Sequence, residues 1–280
     1  MIYIQILMNK GKKVNKNPYS IILHGGAGSG NSKIFSKIKD INIKELYESS
    51  LLKCINIGEE ILKNNGSAIE AVDAVCSELE NNEIFNAGKG SVFNIDNKIY
   101  LDAIMINGKN KNWGAITNVN IVKNPIKLCR KIMEDKKLKN LFITNNSNIK
   151  PLCKKYKIKT TNMKYFKSNF RQKLMNLHED LGTVGVVARD KKGNIASGTS
   201  SGGRQNKIPG RIGDVPLYGS STIADNNLCG ISCTGDGKYI IQNNIASQIY
   251  YRMKFNNESL KSAMDNSLKT MNDKSCGIIG

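Results

Sequence analysis

The run Gly182-Thr183-Val184-Gly185-Val186-Val187-Ala188-Arg189-Asp190-Lys191-Lys192-Gly193-Asn194-Ile195-Ala196-Ser197-Gly198-Thr199-Ser200 reads as a strand, a turn and a second strand. Small and β-branched residues over 184–188 and 194–200 suit a pleated surface, and Asp190 to Gly193 supplies turn residues between them. Thr183 heads the first strand, directly after a glycine. A hydroxyl in that position becomes an N-terminal nucleophile once the bond before it is cut. Taken alone, the residue is equally a plain strand residue.

Downstream, polar groups sit on glycine-rich turns: Ser201-Gly202-Gly203, Gly210-Arg211-Ile212-Gly213-Asp214 and Thr234-Gly235-Asp236-Gly237. A buried strand is predicted over 228–234, helices over 238–254 and 259–271, and a strand over 277–280 with no partner after it. Upstream, residues 20–23 form a short buried strand that runs into a glycine loop, His24 to Gly30. A helix spans 44–63, and Ser67-Ala68-Ile69-Glu70 is a capping box that starts another, with Ile69, Val72, Val75, Cys76 and Leu79 on one face. Asp96-Asn97 is read as the turn of a hairpin between 91–95 and 99–106. An extended segment over 113–122, a helix from Pro125 to Met133 and a weak strand at 142–144 follow. Residues 150–171 read as a basic linker, with a helical turn or two over 170–177. Helices and antiparallel strands in both halves point to an α+β, layered αββα architecture rather than a doubly wound sheet.

The chain has 280 residues, 40% of them hydrophobic, enough for one sizeable core. Residues 1–18 read as a disordered basic extension, and its apolar-then-charged order is the reverse of a secretory signal. No apolar run is long enough to span a membrane. The 7 cysteines are irregularly spaced and several fall at apolar positions, so they read as reduced thiols of a cytoplasmic protein. The formal charge of +19 invites a nucleic-acid partner, but lysines are spread widely and no aromatic–basic stacking pattern accompanies them. We therefore read the charge as solvated lysine, not as a nucleic-acid surface.

The loop Gly25-Gly26-Ala27-Gly28-Ser29-Gly30-Asn31-Ser32 approaches a phosphate-binding pattern, but Asn31 stands where that pattern needs lysine. Its glycines then serve close backbone approach. Arg211, between two glycines, offers a planar fork for a carboxylate, and Asp214 offers a partner for an ammonium. Carboxylate and ammonium together describe the head of an α-amino acid. Thr234-Gly235 offers a hydroxyl and an accessible N–H, which suits an oxyanion hole.

With these residues in place, the chain resembles the plant-type L-asparaginase/isoaspartyl peptidases, N-terminal-nucleophile hydrolases with a threonine nucleophile. The resemblance rests on Leu23-His24-Gly25-Gly26-Ala27-Gly28, Phe85-Asn86-Ala87-Gly88-Lys89-Gly90-Ser91, Leu101-Asp102-Ala103, Asn124-Pro125-Ile126-Lys127-Leu128, Leu181-Gly182-Thr183-Val184-Gly185, Gly210-Arg211-Ile212-Gly213-Asp214 and Thr234-Gly235-Asp236-Gly237. It implies a four-layer αββα sandwich over 19–280, with an α-subunit part at 19–182, its linker at about 150–182, and a β-subunit part at 183–280. Against that pattern the chain lacks the last C-terminal strands.

The resemblance further implies autocatalytic cleavage between Gly182 and Thr183, after which Thr183 acts as nucleophile with Ser201 beside it, where most relatives have a second threonine. Arg211 would grip a substrate α-carboxylate, Asp214 and Gly237 the ammonium, and Thr234 and Gly235 the oxyanion, with Asn86 as a further substrate-binding group near the site. The substrates implied are L-asparagine and β-aspartyl peptides. No organic cofactor is implied. A structural sodium is, held by the carbonyls of Leu79, Glu80, Phe85, Ala87 and Lys89. The assembly implied is a homodimer of αβ units. Two alternatives stay open: an endopeptidase of the threonine-aspartase kind, which shares stretches like 200–203 and 207–211, and an unprocessed homologue acting as a binding protein.

Overall fold

The predicted strand–turn–strand forms as written and lies at the centre of the larger of two sheets. In chain order its strands are β1 (Tyr3–Leu7), β2 (Ser20–His24), β3 (Leu101–Asn107), β4 (Trp113–Val119), β5 (Phe142–Thr144), β6 (Val184–Arg189) and β7 (Ile195–Ser201). Their spatial order is β1-β2-β6-β7-β3-β4-β5, antiparallel throughout except for the β4–β5 pair. The smaller sheet holds β8 (Thr222–Ala224), β9 (Gly230–Gly235) and β10 (Cys276–Ile279) in the order β10-β9-β8, all antiparallel. These elements belong to a computed structural model that describes residues 3–7, 18–27, 43–139, 141–175, 182–271 and 276–280.

Helices α1 (Ile43–Lys63), α2 (Ala68–Asn81) and α3 (Pro125–Glu134) pack on the larger sheet. The period of two along β7 explains the arrangement. Gly198 lies against Val72 and Cys76 of α2 and Ile126 of α3, and the Ser200 hydroxyl bonds Glu80 of α2 at 2.8 Å. The alternate residues face the smaller sheet: the Ser197 hydroxyl donates to Ile231 O at 2.8 Å, and Thr199 shares hydrogen bonds with Thr222 and Ser232 at 2.6 and 2.8 Å. One face of β7 thus carries the main hydrophobic core with Leu23, Leu51, Ile55, Val75, Leu79 and Val186, while the opposite face carries a seam of buried hydroxyls. Between β5 and β6 the chain forms α4 (Asn146–Tyr156), α5 (Met163–Phe166) and α6 (Asn169–Met175). A second core joins Ile231, Cys233 and Ile278 of the smaller sheet to α7 (Gly237–Asn243), α8 (Ile245–Asn256) and α9 (Leu260–Lys269).

Several expectations need correction. Residues 3–7 of the supposed disordered extension form β1, paired with β2; residues 8–17 lie outside the described residues. The terminal strand, read with no partner after it, does form as β10 and pairs with the earlier strand β9, which leaves that reading as it stood. The linker at 150–171 is largely helical, because Asn145 caps α4 and the chain buries Ile149, Cys153, Phe166 and Arg171. Lysines on the exposed positions mask its periodicity. The segment 91–95 turns at Asn97, but it forms a bridge to Lys207 through Asn94 instead of pairing as a hairpin. The helix read over 238–254 is broken at Asn244, which adopts a left-handed conformation.

The Ser67–Glu70 capping box forms in both directions, with Ser67 N donating to Glu70 Oε2 at 2.8 Å and Glu70 N to Ser67 Oγ at 3.2 Å. Replacing Ser67 by Ala should cost about 1 kcal/mol. Leu79→Ala, on the buried face of the same helix, should cost about 2–5 kcal/mol. Urea denaturation of the two variants checks both the sizes and their order.

Candidate functional site

Strand register brings Thr183 to its neighbours. β2 and β6 run antiparallel with His24 opposite Gly185, so the chain leaving β2 passes alongside Thr183 and Gly182. On the other side Val184 pairs with Ser200, which sets Ser201 beside Thr183. The Thr183 hydroxyl donates to Ser201 Oγ at 3.2 Å, and that oxygen also accepts from Gly203 N at 2.9 Å. Both side chains are buried.

The glycine loop after β2 closes over the peptide that precedes Thr183. Gly182 N donates to Ala27 O at 2.9 Å. Gly26 has φ +119, and a methyl there would lie 2.7 Å from the Gly182 carbonyl oxygen. Only glycine meets both demands, the positive φ and the close approach. This is the part the glycines play in place of phosphate binding; Gly28 to Gly30 lie outside the described residues. Ala27 N in turn donates to Thr234 Oγ1 at 3.0 Å, and this hydroxyl also abuts Gly182. With its oxygen accepting from Ala27, the Thr234 hydroxyl keeps its own hydrogen for another acceptor.

Arg211, Asp214 and Gly237 meet a short distance away. The α-hydrogen face of Gly237 lies against Asp214 Oδ1 and Arg211 Nη2, and that of Gly203 against Arg211 Nη1. Burial raises the Asp214 carboxyl to about 6, partly offset by Arg211. Its Oδ2 is buried with no hydrogen-bond partner among the described residues.

Asn86 departs from the expected role. Its Nδ2 donates to Gly203 O at 2.8 Å, its Oδ1 accepts from Val92 N at 3.0 Å, and its own carbonyl accepts from Gly202 N at 3.0 Å. The side chain holds the turn after Ser201 in place. The loop that carries it folds back tightly: Gly88, at φ +51, packs on the Glu80 carbonyl, and Gly90 on those of Phe85 and Glu83. Backbone carbonyls gathered in this way are the donor type that a small hard cation takes.

Three further buried groups near the site lie in stretches that the sequence reading quoted, but it gave them no role. Lys207 donates to Tyr100 O at 2.9 Å and Gly202 O at 2.8 Å beneath the same turn, and burial lowers its pKa. Asp102, opposite Ser201 on β3, accepts from Thr117 and Asn118. His24 shares a hydrogen bond with Ser232 at 3.1 Å beside the Thr183 backbone, and burial lowers it to about 3, so its ring is neutral near pH 7. Nothing in a lone lysine or histidine marks it as buried.

Residues 17–280 match the family model described as asparaginase. This chain belongs to the asparaginase family. Among similar proteins of that kind, the isoaspartyl peptidase/L-asparaginase of Bos taurus is 35% identical over 273 residues, covering 93% of this chain and 84% of the relative. The Mus musculus protein of the same name is 35% identical over 271 residues, with 93% and 80% covered. The probable isoaspartyl peptidase/L-asparaginase 2 of Arabidopsis thaliana is 29% identical over 287 residues, with 90% and 85% covered. Among the described residues, no helix of this asparaginase-family chain is long and apolar enough to cross a membrane.

The Gly26 contact makes a direct prediction. Gly26→Ala should destabilise the protein by at least about 1–2 kcal/mol, the cost of forcing an L side chain into positive φ, with the clash on Gly182 in addition. Thermal and urea unfolding of the variant against wild type measures it.

Proposed function

We propose that the protein is a self-cleaving amidohydrolase that acts on L-asparagine and β-aspartyl peptides through an acyl-enzyme on Thr183. The observation that carries this reading is the embedding of the Gly182–Thr183 peptide. The Thr183 hydroxyl is oriented by Ser201, and Gly26, Ala27 and Thr234 enclose Gly182. The family match and the names of the relatives support it.

In the first step, the Thr183 Oγ1 attacks the Gly182 carbonyl carbon. The hydroxyl proton leaves, the Gly182–Thr183 C–N bond breaks, and the departing nitrogen takes up a proton. Water then hydrolyses the ester, leaving a Gly182 carboxylate, a free Thr183 hydroxyl and a free α-amine. That amine has a reference pKa of about 7.7–8.0, so near pH 7 a useful fraction is neutral and can take the hydroxyl proton in each turnover. This is the reason for requiring the nucleophile to be first in its chain.

In turnover, Arg211 would hold the substrate α-carboxylate in a bidentate grip, and Asp214 with the Gly237 backbone would hold the ammonium. The buried, unpartnered Asp214 Oδ2 supports that assignment. Thr183 Oγ1 attacks the side-chain amide carbon, the amine leaves with a proton, and water releases aspartate from the ester. The Thr234 hydroxyl and Gly235 N–H would stabilise the oxyanion, where losing one donor typically costs about 10²–10³ in rate. Asn86 acts by holding the Ser201–Gly203 turn. The carbonyls of Leu79, Glu80, Phe85, Ala87 and Lys89 would hold a sodium ion, whose contribution is to stiffen that loop. The αββα layering, a dimer of αβ units and a cytoplasmic location complete the reading. An ammonium pocket favours a free aspartyl head over the internal residue that an endopeptidase of the threonine-aspartase kind would need.

Mass spectrometry of the purified protein should give two fragments, one beginning at Thr183, and aspartate should be released from asparagine or a β-aspartyl dipeptide. Thr183→Ala should remain one chain and release nothing. An intact, inert wild-type chain would leave the binding-protein alternative standing. A pH dependence follows from Asp214. Protonation of the Thr183 amine below about 7.7–8.0 already lowers kcat/KM on the acid side; the Asp214 carboxyl must be ionised to hold an ammonium and burial brings it to about 6, so the fall should steepen as pH drops through about 6. Asp214→Asn should raise KM and remove that steepening while leaving the limb of the amine; a slope that still steepens near pH 6 in the variant assigns it to another group.

A further inference from the structure

The side chain of Arg171 has no part in the chemistry above, yet it is 1% exposed, the largest of the fully buried side chains among the described residues. Its Nε donates to Gly90 O at 2.6 Å and its Nη2 to Ile84 O at 3.2 Å. Nη1 is buried with no partner among the described residues. No carboxylate forms an ion pair with it among those residues. A buried cation is costly unless its donors are used, and here they are spent on two backbone carbonyls of one loop. The planar fork spans both carbonyls; a lysine ammonium is a point charge that would serve one.

The loop so held is the one that carries Asn86, and a continuous series of contacts leads from it to the nucleophile. The arginine binds residues 84 and 90 on either side of Asn86. Tyr47 adds a second donor to Ile84 O at 2.9 Å. Asn86 then bonds Gly202 N and Gly203 O at 3.0 and 2.8 Å, Gly203 N bonds Ser201 Oγ at 2.9 Å, and Ser201 Oγ receives the Thr183 hydroxyl at 3.2 Å. Arg171 is itself fixed at the start of α6, where its N–H donates to Ser168 Oγ at 3.0 Å.

We propose that Arg171 is a positioning residue for Thr183: its guanidinium clamps the 84–91 loop, and through Asn86 the clamp sets the turn that orients the nucleophile. The inference rests on the reading of Thr183 as nucleophile. It deepens that reading by tying the segment before the cleavage site to the geometry of the residue after it. Arg171 touches neither substrate nor reacting atoms, so its loss should act on the rate of bond making and spare binding at Arg211 and Asp214.

The test compares wild type with Arg171→Ala and Arg171→Lys, each checked for folding by circular dichroism. Self-cleavage and kcat should fall about tenfold to a hundredfold in Arg171→Ala, the range expected when a reacting group is misplaced, with KM nearly unchanged. Ethylguanidinium at low millimolar concentration should restore part of the rate in Arg171→Ala and leave wild type and Thr183→Ala unaffected. Wild-type kcat in a folded Arg171→Ala, a rise in KM alone, or no restoration by ethylguanidinium would overturn the proposal. If Arg171→Ala does not fold, Arg171→Lys decides the matter: a lower kcat at constant KM supports the clamp, and full activity rejects it. Should wild type itself neither cleave nor hydrolyse, the nucleophile reading fails first. Amide exchange at Gly202 and Gly203 then tests the clamp separately: faster exchange in Arg171→Lys upholds it, and unchanged exchange sinks it.

Discussion

The packing of the glycine loop against Gly182 organises this protein. Gly26 and Ala27 approach the backbone before Thr183 more closely than any side chain would permit, and Ala27 N is bonded to the Thr234 hydroxyl across the same gap. That contact joins three regions distant in sequence: the end of β2, the start of β6 and the end of β9. The antiparallel pairing of β2 with β6 and β6 with β7 makes it possible, because register sets the loop on one side of Thr183 and Ser201 on the other. A slip of one residue would send these side chains to the opposite face of the sheet.

Many of the polar groups around this contact are satisfied from within. The hydroxyls of Ser197, Thr199, Thr222 and Ser232 bond one another or backbone across the gap between the sheets, so burying them does not leave unmet donors. Lys207 and Arg171 spend their charge on backbone carbonyls of the turns and loops next to the site. The exceptions are Asp214 Oδ2, Asp102 Oδ2, His24 Nδ1 and Arg171 Nη1, each buried without a partner among the described residues. Of these, Asp214 lies with Arg211 against Gly237, where the proposed reading puts the amino-acid head.

Much of this is legible in the sequence. The β6–β7 hairpin, the capping box at Ser67 and the helix started by Pro125 each depend on neighbours within a few residues, so local chemistry announces them. The motifs around Thr183, Arg211, Asp214 and Thr234 are visible because their residue types are uncommon together on glycine turns. What escapes such reading depends on partners far away. The helices at 146–175 hide behind lysines, since their buried positions are few and matter only once the loops they cover are folded. Asn86 reads as a group for substrate, but its amide is occupied by Gly203 and Val92.

The sequence by itself determined the family, the α+β class, the strand–turn–strand that carries Thr183 and the residue types of the site. These follow from short-range spacing, for which a helix or strand period and a turn residue suffice. The tertiary structure alone brought the β2 loop onto Gly182, turned Asn86 toward the turn after Ser201, and buried His24, Lys207 and Arg171. The reason is physical. Whether a polar side chain faces water, a ligand or a backbone carbonyl depends on which distant segment packs above it, and no local pattern encodes that.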